Sequence, residues 1–374
     1  MHTSDHDEVR ERLERAFDEV MAETTQGGCS LAIYQEGKQL FSVHAGESSP
    51  GRRWEDSTPC LIWSASKGVA AACTLHALQT RGISLETPVS ELWPEFASNG
   101  KERIVLTELL SHRAGLAAID QKNLPITDHQ TVAEALATQA PNWPYDATHG
   151  YGARTFGFLL DEIIRRITGE TLSSYWQKVF QVPLSLDLWF GLPEALVESA
   201  ATVIAPKSLL SPGPFSAAFA NTASLTRRAL SEPNSEKGTL TPSVMNTPEM
   251  RRASLPSLGA IATADSLARF YSLLASDGGG FFRPETLASM CTTLSKGQDR
   301  VLIDETAFSA GFMTNDYGVY GAAKNSFGHP GAGGSLGFAD PELGIGFAFI
   351  PSAMHPGALP GARTQKLVQA LYGN

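Results

Sequence analysis

The chain has 374 residues, a formal net charge of −10 and a pI near 5.4. That acidic balance argues against phosphate-backbone binding, so no nucleic-acid partner is expected. At 42% hydrophobic and 18% charged residues, the composition is that of an ordinary globular protein, long enough for a large core and two lobes. No apolar run approaches the roughly 18 residues of a membrane span. The charged start, MHTSDHDEVRERLERAF, lacks the apolar core of a leader. A cytoplasmic location without a membrane partner is therefore expected. The cysteines (Cys29, Cys60, Cys73, Cys291) are scattered, with no C-x-x-C and no H-E-x-x-H, so neither a metal nor another cofactor is expected.

In chain order, Val9, Leu13, Phe17 and Val20 recur at helical spacing between charges and predict an amphipathic helix over 6–22, ended by Gly27-Gly28. Residues 30–34 and 39–44 read as a hairpin about Glu36-Gly37. Glu47 to Asp56 reads as loop. Ser57 to Trp63 leads into a helix that starts at Ser64 and stops near Arg81-Gly82. Helices then dominate to about residue 180: 108–113 capped by Thr107, 131–139, 155–167 stopped by Thr168-Gly169, and 172–179. A loop from Pro141 to Gly150 delivers Tyr151. Residues 205–256, rich in Ser, Pro, Thr and Asn, predict long irregular connections. Thr263 caps a helix over 264–275, stopped by Asp277 and three glycines. The period then changes. Residues 308–313, 326–329, 335–339 and 344–350 read as strands, and 364–372 as a last helix. Strands at both ends and helices between them predict an α+β architecture. Residues 1–66 and 255–374 would form the sheet domain and 67–254 an inserted helical domain. No internal repeat is visible.

The stretch Trp63-Ser64-Ala65-Ser66-Lys67 carries the first chemistry. Three residues apart on a helix, Ser64 and Lys67 share a face. A serine hydroxyl becomes a nucleophile when a base takes its proton, and a lysine serves as that base when burial lowers its pKa. The helix start adds N–H groups that favour an oxyanion. A second match, Ser98-Asn99-Gly100-Lys101, has no helix pattern behind it and reads as loop. Cys73 and His76 read as a buried thiol beside a core histidine.

Two further stretches could meet Ser64 in a cleft. In Gly150-Tyr151-Gly152-Ala153 a phenol sits on a glycine-flanked loop before a helix, able to relay a proton near an ammonium. In His329-Pro330-Gly331-Ala332-Gly333-Gly334 the small residues let a backbone N–H approach a substrate oxygen.

Taken in order, the Ser-x-x-Lys tetrad, the Tyr151 loop and His329-Pro330-Gly331 resemble the motifs of the class C β-lactamase and penicillin-binding-protein superfamily of serine hydrolases. The esterase branch, the family VIII carboxylesterases, is the closer match. Leu109 to Leu116, Phe156 to Gly169 and Gly328 to Pro341 support the resemblance, which covers roughly residues 10–370. It implies an antiparallel sheet flanked by helices plus a helical domain. It implies that Ser64 forms an acyl-enzyme, with Lys67 as base and Tyr151 as partner base or as acid toward the leaving alcohol. The oxyanion hole would be the N–H groups of Ser64 and Ala332, with His329 and Gly331 supporting substrate or transition state. The implied partner is a small-molecule ester with a short or medium acyl chain.

Two departures matter. Tyr151-Gly152-Ala153 stands where β-lactamases have Tyr-x-Asn, and His329 stands where they have lysine. Both remove contacts to an amide or a carboxylate and favour a neutral ester. Other readings stay open: a β-lactamase or D-aminopeptidase-type amide hydrolase, an acyltransferase, or a non-catalytic ligand-binding relative. Gly333-Gly334-Ser335-Leu336-Gly337 also matches the nucleophile elbow of α/β-hydrolases, which needs a helix after the serine and would leave His355 as base.

Overall fold

The computed structural model describes residues 3–144, 148–208, 210, 212–236, 238–357 and 359–373. Its elements begin with α1 (Thr3–Ala22), then β1 (Gly28–Gln35), β2 (Lys38–Ser49), β3 (Arg52–Arg53) and β4 (Cys60–Leu61). A 3₁₀ turn at Trp63–Ala65 opens α2 (Ser66–Thr80). In α3 (His129–Thr138) the Asp128 side chain caps the start by accepting the Thr131 N–H. The stop of α4 (Thr155–Thr168) is Gly169 at φ 79°, the left-handed position that glycine adopts without strain. After β5 (Leu188–Phe190), α5 (Pro214–Ala220) and β6 (Ala260–Ala262) comes α6 (Ala264–Ala275), capped by Thr263. The chain ends with β7 (Ser295–Gln298), β8 (Glu305–Phe308), β9 (Met313–Thr314), β10 (Phe327–Pro330), β11 (Leu336–Asp340), β12 (Ile345–Pro351) and α7 (Ala362–Tyr372).

Nine strands form one antiparallel sheet in the order β3-β2-β1-β12-β11-β10-β9-β8-β7, so the two ends of the chain meet at the β1–β12 pair. Period two sorts the side chains of that sheet onto two faces. Leu31, Ile33, Phe338, Phe347 and Phe349 pack with Val9, Leu13 and Phe17 of α1 and Leu367 and Leu371 of α7. Ala32, Ala339 and Ala348 meet Leu267 and Ala268 of α6 on the opposite face. The small residues there set the distance. A Cβ on Gly346 would lie 2.1 Å from the Ala268 carbonyl oxygen, and one on Gly337 would lie 2.4 Å from the Tyr271 ring. Each large side chain buried this way contributes roughly 1.5–3 kcal/mol. The small sheet β4-β6-β5 holds the residues just before Ser64.

Several elements differ from the sequence expectation. The loop expected over Glu47–Asp56 is partly strand, because β2 runs to Ser49 and turns back into β3. The single strand expected at 308–313 is two, β8 and β9, joined by a tight turn at Ser309–Phe312 in which Gly311 has φ 93°. Val105, not Thr107, precedes the short helix at Leu106–Leu110. The run expected as one helix over 172–179 passes from α-helix at Leu172–Trp176 into a π-helical turn at Gln177–Gln181. Residues 205–256 contain short helices at Pro214–Ala220, Leu225–Ala229, Pro242–Met245 and Pro248–Arg252, each opened by a cap or an early proline. The helix at Pro284–Cys291 and strand β7 carry no clear period and were not anticipated. Part of the Pro141–Gly150 loop, residues 145–147, lies outside the described residues. Among the described residues, no helix is long and apolar enough to cross a membrane.

Candidate active site

Ser64 is aimed by a strained turn. Ile62 ends the small sheet, its N–H donating to the Ala260 carbonyl at 3.0 Å. Trp63 then adopts a left-handed backbone, φ 48°, which costs an ordinary residue about 1 kcal/mol or more. The turn is tied down from outside. The Ser335 hydroxyl donates to the Ile62 carbonyl at 2.8 Å, and the Ser66 hydroxyl donates to the Trp63 carbonyl at 2.5 Å. Helix α2 follows, buried nearly all round, so it runs through the core rather than along a surface.

Lys67 lies one turn along, fully buried. Its Nζ is 2.8 Å from the Ser257 carbonyl oxygen, 2.9 Å from that of Ala153 and 3.3 Å from Ser64 Oγ. Burial lowers its pKa well below the usual lysine range. The geometry suits the neutral amine. Two N–H groups satisfy the two carbonyls, and the lone pair is left for the Ser64 hydroxyl proton.

Tyr151 closes the site from the facing loop. Its phenol interacts with the Ser64 hydroxyl, and Lys67 Nζ lies 4.7 Å from the ring centre. Burial raises the pKa of the phenol, the interaction with Ser64 opposes that shift, and the Asp299 carboxylate adds to it. The group therefore stands as a phenol, a proton donor.

His329 is buried beside them, its ring centre 5.7 Å from that of Tyr151. Its Nδ1–H donates to the Pro330 carbonyl at 2.7 Å. Burial, with the nearby Lys67, pushes its pKa down to about 3, so the imidazole is neutral. Ala332 follows Gly331 at the start of a 3₁₀ turn. Among the described residues, neither the Ala332 N–H nor the Ser64 N–H donates to another protein group. A Cβ on Gly331 would lie 2.1 Å from Ser335 Oγ and 2.3 Å from the Ile62 oxygen, so only glycine lets this strand end pack against the Ser64 turn.

Ser64, Tyr151, His329 and Ala332 line one cleft of about 270 Å³. Phe215 and Phe219 of α5 line the same cleft. Arg154 also lines the cleft, and its Nη1 donates to the carbonyls of Ser231 and Pro233, at 2.7 and 2.6 Å. A larger depression of about 860 Å³, beside α6, shares none of these residues.

The sequence motifs thus meet, and the two decoys do not. Lys101 Nζ bonds the carbonyls of Ser98 and Gln139, while the Ser98 hydroxyl bonds Glu95. Ser335 leads into strand β11 rather than a helix, and both ring nitrogens of His355 are engaged, with the Pro356 carbonyl and the Gly361 N–H. Sequence reasoning missed Ser257, whose carbonyl holds Lys67, and the aromatic pair on α5. A lone serine and two phenylalanines in a Ser/Pro-rich segment carry no motif. It also missed His112 and Asp299, although His112 lies inside the Leu109 to Leu116 stretch.

The β-lactamase family model matches residues 13–371. The esterase/beta-lactamase LipL of Mycobacterium tuberculosis is 30% identical over 351 residues, covering 90% of this chain and 79% of that protein. A penicillin-binding protein homologue from Caulobacter crescentus superposes with a TM-score of 0.89 at 28% identity, covering 98% of this chain and 97% of that one. A family VIII carboxylesterase superposes with a TM-score of 0.87 at 26% identity, with the same coverage.

Proposed function

This chain is a serine hydrolase of the β-lactamase family, and from that premise we propose that it is a carboxylesterase acting on short- to medium-chain esters. Lys67 takes the Ser64 proton as Oγ attacks the ester carbonyl. The N–H groups of Ser64 and Ala332 receive the developing oxyanion. Tyr151 gives its proton to the leaving alcohol and regains one from the Lys67 ammonium. Water then attacks the acyl-enzyme by the reverse relay, and Ser64 is restored.

One observation carries the nucleophile assignment: the buried Lys67 amine has both N–H groups committed to carbonyls and Ser64 Oγ at 3.3 Å. The choice of a neutral ester rests on the neutral His329 and on Ala153 in place of an asparagine. A carboxylate-bearing lactam would find no fixed cation at the His329 position. A cytoplasmic location belongs to the same reading, supported by four free thiols.

Intact-protein mass spectrometry after a fluorophosphonate tests the reading. An adduct on Ser64 that is absent from Ser64→Ala is expected. Label on Ser335, or none on the wild type, would refute the acyl-enzyme. Turnover of p-nitrophenyl butyrate should exceed that of nitrocefin by orders of magnitude, and a reversed ranking would move the amide-hydrolase reading ahead.

A further inference from the structure

Behind Tyr151 lies a second layer of buried polar groups that the mechanism above does not use. His112 is the most unusual of them. It is 6% exposed, and its backbone is left-handed, φ 60°. Its carbonyl accepts the Gly150 N–H at 3.1 Å, and its Nδ1 accepts the Gly152 N–H at 3.2 Å. An Nδ1 that accepts is unprotonated, so the ring is neutral with its proton on Nε2. Among the described residues, that Nε2 is buried without a partner. The ring packs against Tyr151, Phe156 and Phe308 at centre distances of 5.2, 4.5 and 4.6 Å. A buried imidazole with an orphaned N–H is a poor core residue unless its other nitrogen has a task.

Asp299 approaches the same loop from the other side. It is fully buried, and its Oδ1 accepts the Tyr151 N–H at 3.1 Å together with those of Val301 and Leu302. Its Oδ2 accepts from the Thr306 hydroxyl, with His149 Nε2 at 3.7 Å. The consecutive N–H groups of residues 150, 151 and 152 are thus held by His112, Asp299 and His112 in turn. Lys67, His329 and His149 are the other titratable groups that act on His112, and each disfavours a charged imidazole.

We infer that His112 and Asp299 are positioning residues whose acceptor atoms clamp the Tyr151-Gly152 backbone and so aim the phenol at the leaving-group oxygen. The inference rests on the proposed role of Tyr151 as proton donor. It makes a distinction that a structural role would not. A displaced phenol hurts expulsion of a poor leaving group, which needs the proton, far more than expulsion of p-nitrophenolate, which does not.

The test compares kcat/KM for ethyl butyrate and p-nitrophenyl butyrate in the full-length protein. His112→Leu keeps the bulk and removes the acceptor. It should lose about 100-fold on ethyl butyrate and only about 3-fold on p-nitrophenyl butyrate. His112→Asn can present an oxygen near the Nδ1 position and should recover most of the difference. Equal losses on both esters in a folded His112→Leu protein, or no recovery in folded His112→Asn, would overturn the clamp. Should neither variant fold, Asp299→Asn carries the test. It keeps an acceptor weakened by loss of charge, so a several-fold bias against ethyl butyrate is expected and equal losses overturn the clamp. Tyr151→Phe separates the two levels. If it shows no leaving-group bias, the role of Tyr151 falls. If it shows the bias and the clamp variants do not, the clamp alone falls.

Discussion

Two Ser-x-x-Lys tetrads lie 34 residues apart in this chain, and only one brings its lysine nitrogen to its serine hydroxyl. Both lysines are fully buried. Lys67 starts a 15-residue helix, so its Nζ returns along the helix face to Ser64 Oγ. Lys101 follows a 3₁₀ segment broken at Ser98 and at a left-handed Asn99, so its Nζ reaches the Ser98 carbonyl rather than the hydroxyl. The first tetrad opens onto a cleft with a phenol and two N–H groups that, among the described residues, donate to no protein group, and the second ties one loop to the end of α3. Spacing supplies the pair, but helix geometry decides which atoms of the pair meet.

The comparison can be broken most decisively at the serines. Ser64→Ala should lower kcat/KM for p-nitrophenyl butyrate by about 10⁴-fold or more. Ser98→Ala should leave it within about 2-fold, because nothing joins that hydroxyl to the cleft. A reversal of the two results would end the assignment of the nucleophile.

The lysines sharpen the contrast. Lys67→Met should cost about 10²–10⁴-fold in kcat. Lys101→Met should leave kcat unchanged and destabilise by about 1–3 kcal/mol, because the Ser98 and Gln139 carbonyls lose their donor. Urea denaturation alongside kinetics separates the two effects.

A third prediction concerns pH. Activity should rise with pH as the Lys67 ammonium loses its proton, and the depressed pKa places that limb well below the ordinary lysine range. The apparent value belongs to the coupled Lys67–Tyr151 pair. His329, pushed down to about 3, should add no inflection between pH 5 and 8, so His329→Asn should preserve the shape of the profile there. A limb that disappears in His329→Asn would assign the titration to the wrong group.

The smallest effect lies outside the cleft lining, at a histidine whose pKa is raised rather than lowered. His129 Nδ1 and Nε2 each lie 3.0 Å from a carboxylate oxygen, of Asp161 and Glu162, and tie α3 to α4. Burial lowers its pKa, but the bonds to the two carboxylates outweigh that and raise it. A raised histidine pKa stabilises fully below the unfolded value near 6.5 and loses that contribution as pH rises through the folded value. The depressed carboxylates act oppositely, contributing above about pH 4.5 and losing it as pH falls. His129→Gln should therefore cost on the order of 1 kcal/mol near pH 5.5 and less at pH 9, as read from thermal melts. An equal cost at both pH values would mean that the bridge contributes nothing through charge.

Much of the site was legible because the chemistry is local. Ser64 and Lys67 are one helical turn apart, and a spacing of three already puts them on one face. Thr263 and Gly169 mark helix ends through their own side chain or its absence. The segment 205–256 was illegible for the opposite reason. Its helices are 4–7 residues long, too short for a period, and it is placed by Arg154 bonding Ser231 and Pro233 from another part of the chain.

By itself, then, the amino-acid order determined the α+β layout and singled out the serine, amine and phenol proposed for the site, since periodicity and side-chain chemistry are properties of neighbours. Tertiary structure decided which serine meets which lysine atom, that burial lowers the pKa of Lys67 and His329, and that His112 and Asp299 hold the loop between them. Those outcomes depend on burial and on acceptors contributed from up to 190 residues away. Desolvation and hydrogen-bond distance are set only once the chain has closed on itself.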